Sequence, residues 1–105
     1  MTRYRVASRE DVPQGAAVVA GAGDQRLALF NVGGTIYAID DVCTHDGGPL
    51  GEGELVGNEI ECPRHGARFD VRTGRVTRMP AVSRVKTYPV EEQAGDLYVD
   101  VPDDW

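Results

Sequence analysis

Only four residues of this 105-residue chain are cysteine or histidine, and all four lie between positions 43 and 65. They form two short mixed arms, Cys43-Thr44-His45 and Cys62-Pro63-Arg64-His65, with sixteen residues between His45 and Cys62. Cysteine offers a soft thiolate ligand and histidine an imidazole. Two of each make a four-ligand set that suits zinc or an iron–sulfur cluster. Plainer readings exist for the same residues. A disulfide between Cys43 and Cys62 would suit a secreted domain, but nothing marks the chain as secreted. Buried structural cysteines are common, yet that reading leaves two matched histidines as coincidence. Structural zinc on all four residues is the strongest plain reading.

The order of the ligands bears on the choice. A Cys2His2 zinc finger usually puts two cysteines on one arm and two histidines on the other, whereas here each arm carries one of each. A 2Fe-2S cluster with two cysteines on one iron and two histidines on the other can be reached by two such arms, each giving one ligand to each iron. The segment resembles the cluster-binding motif of the Rieske family: Cys-x-His, about fifteen to seventeen residues, then Cys-x-x-His. The resemblance includes Gly47-Gly48-Pro49-Leu50, Gly66, the run Phe69-Asp70-Val71-Arg72-Thr73-Gly74 and a loop containing Pro80. It covers roughly the central and C-terminal two-thirds of the chain.

Several expectations follow from that resemblance. Cys43 and Cys62 would hold an inner ferric iron. His45 and His65 would hold the outer iron that changes oxidation state, with their imidazoles at the surface. The loop with Pro80 would cover a third side of the cluster, although an ordinary turn proline explains Pro80 almost as well. High-potential members carry hydroxyl donors two and four residues after the second histidine, and a disulfide between the loops. Here those positions are Ala67 and Phe69, which cannot donate, and Gly48 and Arg64. A reduction potential low in the Rieske range is therefore expected.

The elements that must position the arms read as β structure. Tyr4 to Ala7 alternates weakly, the run from Ser8 to Gly15 is turn-rich, and Ala16 to Ala20 is a short apolar run before the turn residues Gly21 to Asp24. Leu27–Val32 and Thr35–Ile39 are β-prone runs separated by Gly33-Gly34, a tight hairpin that delivers the chain to Asp40-Asp41-Val42 and the first arm. Gly51 to Glu54 reads as a polar turn, and Glu59-Ile60-Glu61 as a strand into the second arm. Ala67, Phe69 and Val71 share one face of the next strand. Thr73-Gly74 turns the chain into Val76-Thr77-Arg78. Val85–Val90 and Leu97–Val101 read as two further strands. No stretch has a convincing helical period. The expected fold is all-β, an antiparallel sandwich or partly open barrel. It forms one domain over residues 1–105, with a small inserted cluster-binding lobe at about residues 41–67.

The formal net charge of −6 argues against a nucleic-acid partner, which would need a basic footprint. It suits docking on basic protein surfaces. Seven acids and no base lie between Asp40 and Glu61, and seven bases with one acid between Arg64 and Lys86. Mixed surface charge is the plain account, while Asp46 and Arg64, each beside a ligand histidine, could steer docking. No apolar run approaches a membrane span, and Met1 to Val6 lacks the apolar core of a signal peptide, so a cytoplasmic monomer is expected. No nucleophile–base pair or spare histidine is present, so no catalytic residue is assigned.

The reading is a Rieske-type ferredoxin with one 2Fe-2S cluster, carrying single electrons from a ferredoxin reductase to a terminal oxygenase. The ferredoxin component of ring-hydroxylating dioxygenases is the nearest pattern. The alternatives are the small subunit of an assimilatory nitrite reductase, a Rieske ferredoxin serving another oxygenase or an iron–sulfur assembly system, and a zinc-stapled interaction domain without redox role.

Overall fold

The computed structural model describes residues 1–44, 47–79, 81 and 83–102. Among the described residues eleven strands run in chain order: β1 (Thr2–Ser8), β2 (Ala17–Ala22), β3 (Gln25–Val32), β4 (Thr35–Asp40), β5 (Glu54–Val56), β6 (Glu59–Glu61), β7 (Arg68–Asp70), β8 (Val76–Arg78), β9 (Thr87–Tyr88), β10 (Val90–Gln93) and β11 (Asp96–Val101). They form three sheets, in the orders β1-β11-β10, β2-β3-β4-β9 and β5-β6-β7-β8, and every pairing is antiparallel. Among the described residues the only helical turn is a 3-10 turn at Arg9–Asp11, and no helix is long and apolar enough to cross a membrane.

The middle sheet is covered on both faces. Leu27 and Leu29 of β3 pack with Val12, Ile36, Leu97 and Val99 in one core. Ala28 and Phe30, on the opposite face of the same strand, pack with Ile39, Leu50, Ile60 and Phe69 in a second core. A strand buried on both faces needs an apolar run rather than alternation, which is what Leu27–Phe30 supplies. In β7 and its flanks the alternation holds: Ala67, Phe69 and Val71 are all buried, and Arg68, Asp70 and Arg72 are not.

The expected single strand over Val85–Val90 is two strands in different sheets. Thr87 and Tyr88 pair with Ile39 and Ala38 of the middle sheet. After Pro89 the chain joins β11 of the first sheet, with Val90 opposite Val99. Proline has no N–H for a ladder, so Pro89 marks the crossing. The run Gly51 to Glu54 is also shorter as a turn than expected, because Glu54 already opens β5, a strand of only three residues.

The charge blocks of the sequence fold onto one another. Arg3 on β1 pairs with Asp100 at 2.9 Å and Glu91 at 2.7 Å, and Arg5 pairs with Asp96 at 2.9 Å. In the third sheet Arg68 meets Glu61 at 2.9 Å. Exposed pairs of this kind are worth about 0–1 kcal/mol each, so their main effect is to neutralise sequence-local charge.

Two hairpins use a two-residue turn with both φ angles positive: Gly33-Gly34 (61° and 92°) and Ala94-Gly95 (51° and 84°). Ala94 is the only non-glycine with positive φ among the described residues, and its Cβ makes that conformation unfavourable. Ala94→Asn should therefore stabilise the fold by about 0.5–1 kcal/mol, read as a higher urea midpoint at unchanged slope. A lower midpoint would show that Ala94 is not strained.

Candidate metal centre

The two cysteine arms close in the same way. In the first, the Cys43 N–H donates to the Gly48 carbonyl at 2.7 Å, and the Cys43 carbonyl accepts from the Gly47 N–H at 2.7 Å. In the second, the Cys62 N–H donates to the Ala67 carbonyl at 2.7 Å, and the Cys62 carbonyl accepts from the Gly66 N–H at 3.1 Å. Each cysteine thus bonds to the residues four and five positions on. The residue four positions on is a glycine at φ 76° (Gly47) or 75° (Gly66), a conformation that side chains resist. The sequence shows two Cys–His arms; it does not show that their backbones superimpose in hydrogen-bond pattern.

Burial separates the two thiols from His65. Cys43 and Cys62 are each 1% exposed and join the same core, with Leu50, Ile60, Ala67 and Phe69. No disulfide joins them. Thr44, Pro63, Arg64 and His65 are exposed. His45 and Asp46 lie outside the described residues. Among those residues no three His, Cys, Asp or Glu side chains gather at one point. A 2Fe-2S cluster of the mixed type asks for only two protein ligands at each iron.

A third segment lies against the arms. Ala81 is buried in the same core as both cysteines, and the Thr44 hydroxyl donates to the Ser83 carbonyl. The segment is anchored behind by the Val85 N–H, which donates to Gly74 O at 2.9 Å. A Cβ on Gly74 would sit 2.0 Å from the Val85 carbonyl oxygen, so only glycine permits that approach. Pro80 lies outside the described residues.

The arms enter and leave the frame differently. The second sits at the tip of the β6–β7 hairpin, where Glu61 pairs with Arg68 directly beneath Cys62 and Ala67. The first connects β4 of the middle sheet to β5 of the third. At its base the buried Asp41 carboxylate accepts from the Gly51 N–H at 2.6 Å and from Arg26 Nη2 at 3.3 Å. Asp41 was legible only as an acid before the arm; its burial has no signal in the sequence.

Arginines and acids interlock around the second arm. Hydrogen bonding to Glu61 holds the Arg68 proton more tightly than usual. Hydrogen bonding from Arg72 holds the Asp70 carboxyl below the ordinary carboxylate range. Further back, burial and then a 2.7 Å hydrogen bond to Asp40 push the Tyr88 hydroxyl well above its ordinary value.

Known proteins resemble this chain in sequence and in fold. A family model for the Rieske 2Fe-2S domain matches residues 2–89. The 3-phenylpropionate/cinnamic acid dioxygenase ferredoxin subunit of Shigella flexneri serotype 5b (strain 8401) is 39% identical over 104 residues, 98% of this chain and 97% of its own. The ferredoxin of carbazole 1,9a-dioxygenase from Nocardioides aromaticivorans IC177 superposes with a TM-score of 0.90 at 33% identity, over 94% of this chain and 97% of the other. A chain in the complex of reduced oxygenase and oxidized ferredoxin in carbazole 1,9a-dioxygenase gives a TM-score of 0.87 at 36% identity, over 92% of this chain and 91% of that one. The chain belongs to the Rieske 2Fe-2S family, and its cofactor is a Rieske-type 2Fe-2S cluster.

Proposed function

We propose that this protein is the ferredoxin component of an aromatic ring-hydroxylating dioxygenase system, receiving one electron from a reductase and passing it to the terminal oxygenase. Its cluster is held by Cys43 and Cys62 on one iron and His45 and His65 on the other. The observation that carries this reading is the sorting of the arms: both thiols are buried in one core, while His65 is exposed. The cluster supplies a single reversible electron. The chain's own part is to shield the sulfur side from water and to leave an imidazole edge where a partner can approach. The full-length relatives are named as ferredoxin subunits, so the chain is an electron-transfer component and not the oxygenase itself. We further assign one domain over residues 1–105, with its cluster-binding part at about residues 41–67, acting as a cytoplasmic monomer that docks transiently.

The ligand assignment has a direct test. Purified native protein should be red-brown and carry two irons and two acid-labile sulfides per chain, as a 2Fe-2S cluster requires. His65→Ala should lose most of the visible absorbance and iron, and should melt at a lower temperature, because ligand bonds contribute folding energy in small metallo-domains. Unchanged colour and iron content would remove His65 from the ligand set.

The reduction potential should sit low in the Rieske range of about −150 to +300 mV. Ala67 and Phe69, at the positions where hydroxyl donors would stand, are both fully buried in the core that holds the cysteines. Neither can donate a hydrogen bond that favours the extra negative charge of reduction. Ala67→Ser should raise the potential by ~40 mV if the new bond strengthens by about 1 kcal/mol on reduction. Phe69→Tyr should act in the same direction if its hydroxyl reaches sulfur. Voltammetry of native protein beside the variants checks both; a native value near the top of the range would contradict the reading.

Transient docking of a chain with net charge −6 should respond to salt. Stopped-flow electron transfer to the oxygenase should slow as salt rises over about 0.05–0.5 M, where the screening length shortens. A flat response would assign the encounter to apolar contacts, for which Val42 and Met79 are exposed.

A further inference from the structure

Asp41 and Asn31 are the only buried polar or charged residues among those described, and Asp41 is the only buried charge. The Asp41 side chain is 0% exposed, while its nearest cation, on Arg26, is 66% exposed and 3.3 Å away. A buried carboxylate is costly unless hydrogen bonds satisfy it, and a guanidinium that is itself largely in water is screened and offsets only part of that cost. The strong contact is the one to the Gly51 N–H at 2.6 Å, a charge-assisted bond. It spans ten residues of sequence and encloses the whole first arm. The Asp41 N–H meanwhile donates to the Arg26 carbonyl at 3.0 Å, fixing the same residue to β3.

The comparison with the second arm shows what this bond replaces. Cys62 and Ala67 rest on a ladder, with Glu61 opposite Arg68 and Ile60 opposite Phe69. Cys43 and Gly48 have no ladder beneath them, since the chain arrives from β4 and departs for β5 in another sheet. The neighbouring chain is pinned closely: a Cβ on Gly51 would lie 2.5 Å from Val19 Cγ2 and 3.2 Å from Asp41 Oδ1. We propose that Asp41 is a positioning residue that holds the first cysteine arm in register with the second through its bond to Gly51, which needs the reach of an aspartate side chain. The proposal rests on the cluster assignment above.

The test is the rate at which chelator bleaches the visible spectrum of the holoprotein, measured well below the melting temperature. The variants are Asp41→Asn, which keeps an acceptor of the same reach without the charge, and Asp41→Glu, which keeps the charge with a longer reach. Asp41→Ala removes both. Asn31→Ala is the comparison: it deletes the other buried polar side chain, which bonds Val12 O at 2.8 Å and the Gly34 N–H at 3.0 Å, away from the arms. Asp41→Glu and Asp41→Ala should lose the cluster at least about tenfold faster than native, the scale of one lost hydrogen bond to a charged group. Asp41→Asn should fall between native and Asp41→Glu, as a neutral acceptor keeps about half of the bond. Asn31→Ala should lower the melting temperature without speeding cluster loss. Should Asp41→Ala not fold, the Asn and Glu variants alone decide. Equal loss rates for Asp41→Glu and native, or loss from Asp41→Asn as fast as from Asp41→Glu, would overturn the positioning role. A native protein that binds no cluster would overturn the cluster assignment together with it.

Discussion

The structure depends on a middle sheet buried on both faces, β3 above all. β3 gives Leu27 and Leu29 to one core and Ala28 and Phe30 to the other. Apolar burial is worth about 25 cal/mol per Å2, and a strand used on both faces gathers it twice over for one ladder of hydrogen bonds. The first sheet closes one side of this wall. The third sheet and the cysteine arms close the other, so both thiols rest against a surface that the rest of the fold holds fixed. A side chain that loses its packing in β3 is therefore felt at both ends of the molecule.

Against that wall the arms are built mainly from backbone. Their closures use N–H and C=O groups together with a glycine in a left-handed conformation. Backbone groups must be satisfied when buried in any case, so the cage draws on an obligation the chain already carries. What differs between the arms is their footing: a hairpin under one, a carboxylate under the other. The third segment meets the first arm through Thr44 and Ser83.

Much of this was legible in the sequence, and for identifiable reasons. The ligand set stood out because cysteine and histidine occur nowhere else in the chain. The Gly33-Gly34 hairpin and the alternation at Ala67, Phe69 and Val71 are local patterns, readable from neighbours alone. The features missed are set by residues far apart. Pro89 stood inside a run read as one strand, and the two sheets on either side of it are assembled from strands across the whole chain. Mixed surface charge was the plain account of the acidic and basic blocks, but which charges meet was not readable: Arg68 of the basic block meets Glu61 of the acidic one across strands. Asp41 looked like one acid in an acidic run, and only the approach of Gly51 and Arg26 distinguishes it from Asp40.

The unequal footing of the two arms also gives them unequal entropic costs of assembly. The ladder that carries Cys62 and His65 runs through β6, β7 and β8, entirely within residues 59–78. Closing so short a segment restricts few residues. The frame behind the first arm draws on β3, β4 and β9, and it is completed by a first sheet in which Thr2 lies opposite Val101. That half of the cage thus rests on contacts of long sequence separation, the kind that are slow to form. One cysteine belongs to a local hairpin, and the other to the topology of the entire chain.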